Sequence, residues 1–167
     1  MEAILPMAMA WLLTLILVWV MLSDITRYTI SNKVNLTLLL LFVPFGLLMP
    51  ETDWLRHALG FGAFFAGGFV LFALRAMGGG DVKLLAVLGL WCGWNMQAAF
   101  FAVYTGLYGG VLAVLLVIIR KLLTYIQIKC DKTWSLPRVL LIGQPIPYGV
   151  AIAAAFLTLL WGGELFL

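Results

Sequence analysis

The sequence predicts an all-α, polytopic membrane protein with six transmembrane helices and its N-terminus outside. Three observations predict it. Of 167 residues, 65% are hydrophobic and only 10% are charged, too thin a polar coat for a soluble domain of this size. The apolar residues fall into runs of roughly bilayer-spanning length with short polar breaks between them. The lysines and arginines gather in alternate breaks, as they do when one set of loops stays inside.

Taken in order, residues 3–22 form the first span. Glu2 precedes it without a basic n-region, and no small-residue cleavage site follows, so the segment reads as a retained helix rather than a removable signal peptide. Residues 23–35, SDITRYTISNKVN, are a polar loop, and residues 36–49 a second span ended by Pro50 and Glu51-Thr52-Asp53. Residues 57–74 are the third. The apolar stretch 82–119 is too long for one helix, and GWNMQ at 93–97 is its natural break, giving a fourth segment at 82–95 and a fifth at 97–119. The fourth covers only about 21 Å against a hydrocarbon core of about 30 Å, so it is expected to start below the membrane surface or to sit where the bilayer thins. Residues 120–138 are a basic loop, residues 136–144 are expected along the interface, and residues 146–162 are the sixth span.

With the N-terminus outside, nine of the ten basic residues lie inside: Arg27, Lys33, Arg75, Lys83, Arg120, Lys121, Lys129, Lys132 and Arg138. Only Arg56 lies outside. The inner set reads as topology determinants and contacts to membrane lipid headgroups.

Several chemistries are disfavoured. Cys92 and Cys130 form no CxxC pair, one lying in an apolar run and the other in a basic loop, and no His/Cys cluster offers a zinc site. The single histidine, His57, has no triad around it and reads as structural. Gly89/Gly93 and Gly106/Gly110 have the small-xxx-small spacing of closely packed helices. No repeat, heptad or low-complexity tract is present.

The acids are more informative. Glu2, Glu51, Asp53 and Glu164 are predicted outside, and Asp131 inside but in a basic loop that offers it a salt bridge. Asp24 and Asp81 alone sit at ends of apolar helices on the inner face, 57 positions apart in the chain. A carboxylate at the hydrocarbon boundary is costly without a role or a partner. Two that meet cannot both ionise cheaply, so one is expected to keep its proton. Such a pair suits water-mediated peptide hydrolysis: the ionised member deprotonates water and the protonated member donates to the oxyanion. Gly78-Gly79-Gly80 just ahead of Asp81 would let backbone pass close to an extended substrate, with positive φ open to it.

Other readings stand beside this one. Asp81 suits the N-cap of a helix, and Asp24 could pair with Arg27 or Lys33 in a solvated loop. GGGDVK lacks the GK[ST] ending of a phosphate loop and puts an acid where the anion would go. A small ion-coupled transporter would use Asp24 and Asp81 as cation or proton sites, although carriers usually hold such groups near the midplane and show internal repeats.

SDITRYTISNKVN after a first span, MGGGDVKLLAVLG opening a fourth and PIPYGVAIAAA at 145–155 together resemble the prepilin peptidase family of GxGD-type aspartic membrane peptidases. Gly78-x-Gly80-Asp81 matches the GxGD motif, Val82-Lys83-Leu84 its continuation, and Ser23-Asp24 with Ile30-x-Asn32 the other catalytic segment. The resemblance covers essentially the whole chain. It implies a single transmembrane peptidase domain over residues 1–167 in the bacterial inner (cytoplasmic) membrane, with catalytic loops at the cytoplasmic face. It implies Asp24 and Asp81 as the catalytic pair; the residues themselves suggest Gly78, Gly79, Gly80 and Lys83 as shaping the loop or binding substrate. Lys83 would tune an aspartate or hold an acidic residue beyond the cut. The implied partner is a prepilin or pseudopilin whose leader is removed just before its hydrophobic helix; no nucleic acid and no cofactor or metal is implied. Larger members also methylate the new N-terminus and carry a cytoplasmic insertion, usually with zinc-binding CxxC pairs. The first inner loop here is about a dozen cysteine-free residues, so zinc and methyl transfer are not expected. The chain is most similar in size to the short members of tight-adherence (Flp-type) pilus systems, with the archaeal preflagellin peptidases a related alternative.

Overall fold

The computed structural model describes residues 4–49, 52–130, 135–163 and 165. Glu2, Glu51, Asp131, Lys132 and Glu164, assigned to one side or the other above, and Pro50, expected to end the second span, lie outside the described residues. Six α-helices follow one another: α1 (Ile4–Arg27), α2 (Asn32–Leu48), α3 (Trp54–Ala73), α4 (Gly79–Cys92), α5 (Met96–Cys130) and α6 (Tyr148–Trp161), with one 3₁₀ turn at Arg138–Leu140. Three of them, Leu5–Arg27, Trp54–Ala73 and Met96–Cys130, are long and apolar enough to cross a membrane; Asn32–Leu48 and Tyr148–Trp161 are shorter apolar helices.

The helix ends follow from local chemistry. Arg27 closes α1 in a last turn that favours a cation, and Tyr28 then takes a left-handed φ of 53°. Ser31 caps α2, its hydroxyl accepting from the Lys33 amide at 3.2 Å. Asp53 caps α3, accepting from the amides of Leu55 and Arg56 at 3.1 and 3.2 Å. At the GWNMQ break, Gly93 takes φ 72° and Asn95 caps α5 through the amides of Gln97 and Ala98.

The helices depart from the sequence boundaries chiefly at one end of the bundle. The loop expected at 23–35 shrinks to residues 28–31, because α1 continues through Asp24 and α2 starts at Asn32. The loop expected from residue 120 is helix as far as Cys130; Leu, Ile and Thr–Tyr pairs keep a helical pattern going past the point where charge begins. Residues 136–144 are irregular apart from the 3₁₀ turn.

The fourth helix is the centre of the bundle. Val82, Leu84 through Gly89, Trp91 and Cys92 are all buried, the all-round apolarity of an enclosed helix. It packs on α3, α2, α6 and α5. Leu13 and Leu17 of α1, Leu38 of α2, Phe101 of α5 and Ile152, Phe156 and Leu159 of α6 complete the core. In α3 the buried residues are Gly60 and Gly68. A Cβ on Gly60 would stand 2.5 Å from the Gly89 carbonyl oxygen, and one on Gly68 3.1 Å from Val82, so glycine brings these two backbones together. Leucines, valines and phenylalanines on α1, α3 and α5 point outward, the surface a bilayer would cover.

Candidate functional site

The C-terminal end of α1 and the N-terminal ends of α2, α4 and α6 meet at one end of the bundle. Asp24 lies one turn before the end of α1, on helix rather than loop, and is only 4% exposed. Its Oδ2 accepts a hydrogen bond from the Gly149 amide at 2.8 Å. That amide is among the first of α6, which have no partner within their own helix and carry the positive end of its dipole. Pro147, at the N-cap, lacks an N–H that would otherwise need an acceptor. Position 149 has room for nothing larger than glycine: a Cβ would lie 2.8 Å from Asp24 Oδ2 and 2.7 Å from Ile30 Cδ1.

Asp81 is the third residue of α4. Its Oδ2 accepts from the Gly78 amide at 3.1 Å, so this oxygen closes the first turn of its own helix. Oδ1 is buried and has no hydrogen-bond partner. One oxygen is thus structural and the other is left over, an arrangement that a helix cap alone does not require.

Both carboxylates line one cavity of about 850 Å³, together with Tyr28, Met77, Gly78, Arg120 and Tyr148. The one ion pair among the described residues is Arg56–Asp53, at the opposite end, so neither Asp24 nor Asp81 has the Arg27 or Lys33 partner that the solvated-loop reading required.

The other sequence candidates divide. Gly78 lines the cavity, but its φ of −77° is one that any residue adopts. Gly79 and Gly80 form the first turn of α4 rather than an extended loop, and the triple glycine uses no positive φ. Gly80 instead allows close packing, a Cβ there meeting Ile30 at 3.3 Å. Lys83 is not among the cavity residues; its Nζ donates to Asn32 Oδ1 at 2.8 Å. Two residues along a helix is more than half a turn, so Lys83 and Asp81 face different ways. His57 stands at the far end, Nδ1 2.6 Å from the Leu90 carbonyl oxygen and its ring against Phe42.

Arg120 was grouped with the headgroup contacts by its sequence, yet it is buried. Its Nε donates to the Val139 carbonyl at 2.9 Å, Nη1 to Gln144 at 2.7 Å and Nη2 to Pro145 at 2.9 Å. The guanidinium therefore fixes the strand of chain that leads into Pro147 and Gly149, using the planar fork that lysine lacks. Gly149, Tyr28 and Asn35 also escaped the sequence reading. Asn35 is buried, and its Nδ2 reaches the Gly80 carbonyl at 3.5 Å, the long limit of a hydrogen bond. Among the described residues no group of three His, Cys, Asp or Glu gathers to hold a metal.

An apolar helical chain that brings two carboxylates, neither in an ion pair, to one cavity defines a membrane-helix protein with an acidic pair at one rim. More particularly, the chain belongs to the type IV leader peptidase family, whose model matches residues 11–126. It is 32% identical over 163 residues to the prepilin leader peptidase/N-methyltransferase of Bacillus subtilis, an alignment covering 90% of this chain and 54% of that one. It is 30% identical over 170 residues to the protein of that name from Aeromonas salmonicida, covering 93% and 50%. With that of Pseudomonas aeruginosa it shares 32% identity over 92 residues, covering 54% and 25%. The chain spans about half the length of the first two relatives. No solved structure matches it.

Proposed function

We propose that the protein is a prepilin leader peptidase, an aspartic endopeptidase in which Asp24 and Asp81 activate water to hydrolyse the bond between leader and hydrophobic helix. The observation that carries this is the shared cavity: two carboxylates, 57 residues apart in sequence, each tied by one oxygen to a backbone amide at a helix N-terminus and neither paired with a cation. In the proposed cycle the pair shares one proton. The ionised carboxylate takes a proton from water as the water oxygen bonds to the scissile carbonyl carbon. The protonated one donates to the carbonyl oxygen. Collapse of the tetrahedral intermediate breaks the C–N bond: the amine leaves with the proton of the carboxyl that had gained one, and the other carboxylate takes back a proton from a hydroxyl of the intermediate as the C=O re-forms, restoring the singly protonated pair.

The substrate class proposed is the type IV prepilins, Flp-type or pseudopilin members among them, cut at the cytoplasmic face of the inner membrane. The reading uses six membrane-crossing helices with the N-terminus outside. Arg27, Lys33, Arg75, Lys83, Arg120, Lys121, Lys129 and Arg138 all lie toward the aspartate end and Arg56 toward the other, the bias expected when the aspartate end is inside.

Co-expression with a Flp-type prepilin tests the function. The wild-type chain is expected to shorten the prepilin by the mass of its leader, and Asp81→Ala to leave it whole. Equal shortening by both would sink the mechanism; substrate uptake into vesicles with no cleavage would favour an ion-coupled carrier.

A further inference from the structure

A second and larger cavity opens on the flank of the bundle. It measures about 1070 Å³ and is walled by α3 and α5, with Leu85 of α4 and Tyr148 of α6 in its floor. The two wall helices meet where the Phe64 ring lies 5.0 Å from that of Phe101, and each packs chiefly on the centre of the bundle, α3 on α4 and α5 on α6. The lining is apolar and small and includes Gly67, Gly68, Gly106, Gly109 and Gly110, which are of two kinds. At Gly68 and Gly109 a Cβ would press against Val82 and Tyr148, as one would against neighbours at Gly60 and Gly89 outside the cleft, so the chain's own packing accounts for them. At Gly67 of α3 and Gly106 and Gly110 of α5 a Cβ would meet nothing within 4 Å. The Gly106/Gly110 pair, whose spacing suits close helix packing, faces the cleft. Small residues on a membrane helix let another backbone approach closely, and among the described residues none approaches these three glycines. Thr105, on the same wall, has a buried hydroxyl with no hydrogen-bond partner.

The cleft runs into the aspartate cavity, since Met77 and Tyr148 line both. Along α5 it extends from Met96 to Gly110, about 21 Å at the helical rise, or some four turns. A helix lying there with its N-terminus toward Met77 and Tyr148 would deliver the residues ahead of it to Asp24 and Asp81.

We propose that this cleft seats the hydrophobic helix of the prepilin being cut, so that docking in the flank and cleavage at the rim are two parts of one binding event. The proposal rests on the peptidase reading and adds to it where the uncut portion is held. A lipid chain could fill the volume, but it gains nothing from wall glycines, whereas a helix backbone does.

Disulfide trapping in membranes tests it. The chain carries Asp81→Asn to hold the prepilin uncut, Cys130→Ser to remove an exposed thiol, and either Gly67→Cys or Gly106→Cys. The prepilin carries single cysteines along its helix. Oxidation is expected to give a covalent product of the two chains from both wall positions, recurring every three to four residues of the prepilin helix. Leu115→Cys, on the opposite face of α5 and exposed, is expected to give none. Adducts only between two copies of the chain, equal trapping from Leu115→Cys, or no prepilin adduct although the wild-type chain cuts that prepilin would each overturn the docking site and leave the peptidase reading intact. If the wild-type chain fails to cut it, the peptidase reading falls and the docking site with it.

Discussion

The two ends of this bundle are built on different terms. At the end away from the aspartates, Phe42 stacks edge-on against Trp54 and Trp91. The Trp91 indole donates to the Leu38 carbonyl at 3.1 Å, His57 bonds the Leu90 carbonyl, and the Trp94 amide reaches the Arg56 carbonyl at 2.9 Å. At the aspartate end the accounts stay open. Of the four buried side-chain polar atoms without a partner among the described residues, Tyr28 Oη, Asn35 Oδ1 and Asp81 Oδ1 are there, and the fourth, Thr105 Oγ1, is in the adjoining cleft. The two non-glycine residues with positive φ, Tyr28 and Arg75, are there as well. Orphaned groups and strained backbone collect where a protein handles something other than itself. One end is closed by its own packing and hydrogen bonds, and the other leaves polar groups open beside the two aspartates.

Breaking the acidic pair should have the largest effect. Asp24→Asn and Asp81→Asn keep the shape and remove the proton chemistry, and each is expected to slow leader removal by about 10²–10⁴-fold, read from the mass of a co-expressed prepilin. Asp24→Asn should still accept from Gly149 through its amide oxygen, so thermal unfolding in detergent should stay near wild type. A variant that unfolds early would mean that Asp24 is a structural group.

Arg120 comes next, because it supports the site from beneath. Arg120→Met fills similar space but strands three carbonyls, each costing about 1–3 kcal/mol when buried without a donor. A marked fall in unfolding temperature is expected, with weaker processing as the segment ahead of Gly149 loosens. Unchanged stability would show that water replaces the guanidinium there. Gly149→Ala is the finer probe. Its methyl would crowd Asp24 Oδ2 and Ile30, an overpacking cost of about 1–3 kcal/mol, and processing is expected to fall further than stability does. If both fall in proportion, the contact is packing alone.

Much of this was legible in the sequence because it depends on composition and order along the chain. All six helices, the GWNMQ break and the convergence of Asp24 and Asp81 at one end follow from where the apolar runs stop. What the sequence hid depends on partners far along the chain. Nothing in IIRKLL marks Arg120 as buried rather than exposed like Lys121 beside it; its three acceptors lie 19 to 25 residues later. The triple glycine looked like a loop because three glycines disfavour helix, but the Asp81 carboxylate holds that turn by accepting from Gly78. The empty faces of Gly67 and Gly106 were equally hidden, since spacing alone does not tell a glycine packed within the chain from one kept for a visitor.

The smallest effect expected sharpens the contrast from the other side. Trp91 is 2% exposed and donates to a carbonyl that is already part of helix α2. Trp91→Phe keeps an aromatic ring against Phe42 and Phe45 and gives up one hydrogen bond, worth about 1 kcal/mol, together with some packing. The unfolding midpoint should drop by a few degrees while prepilin processing at the growth temperature keeps its wild-type rate. A processing defect larger than the stability loss would mean that strain at the aromatic end is transmitted along α4 to Asp81. The two ends would then be a single coupled device rather than a support and the site it carries.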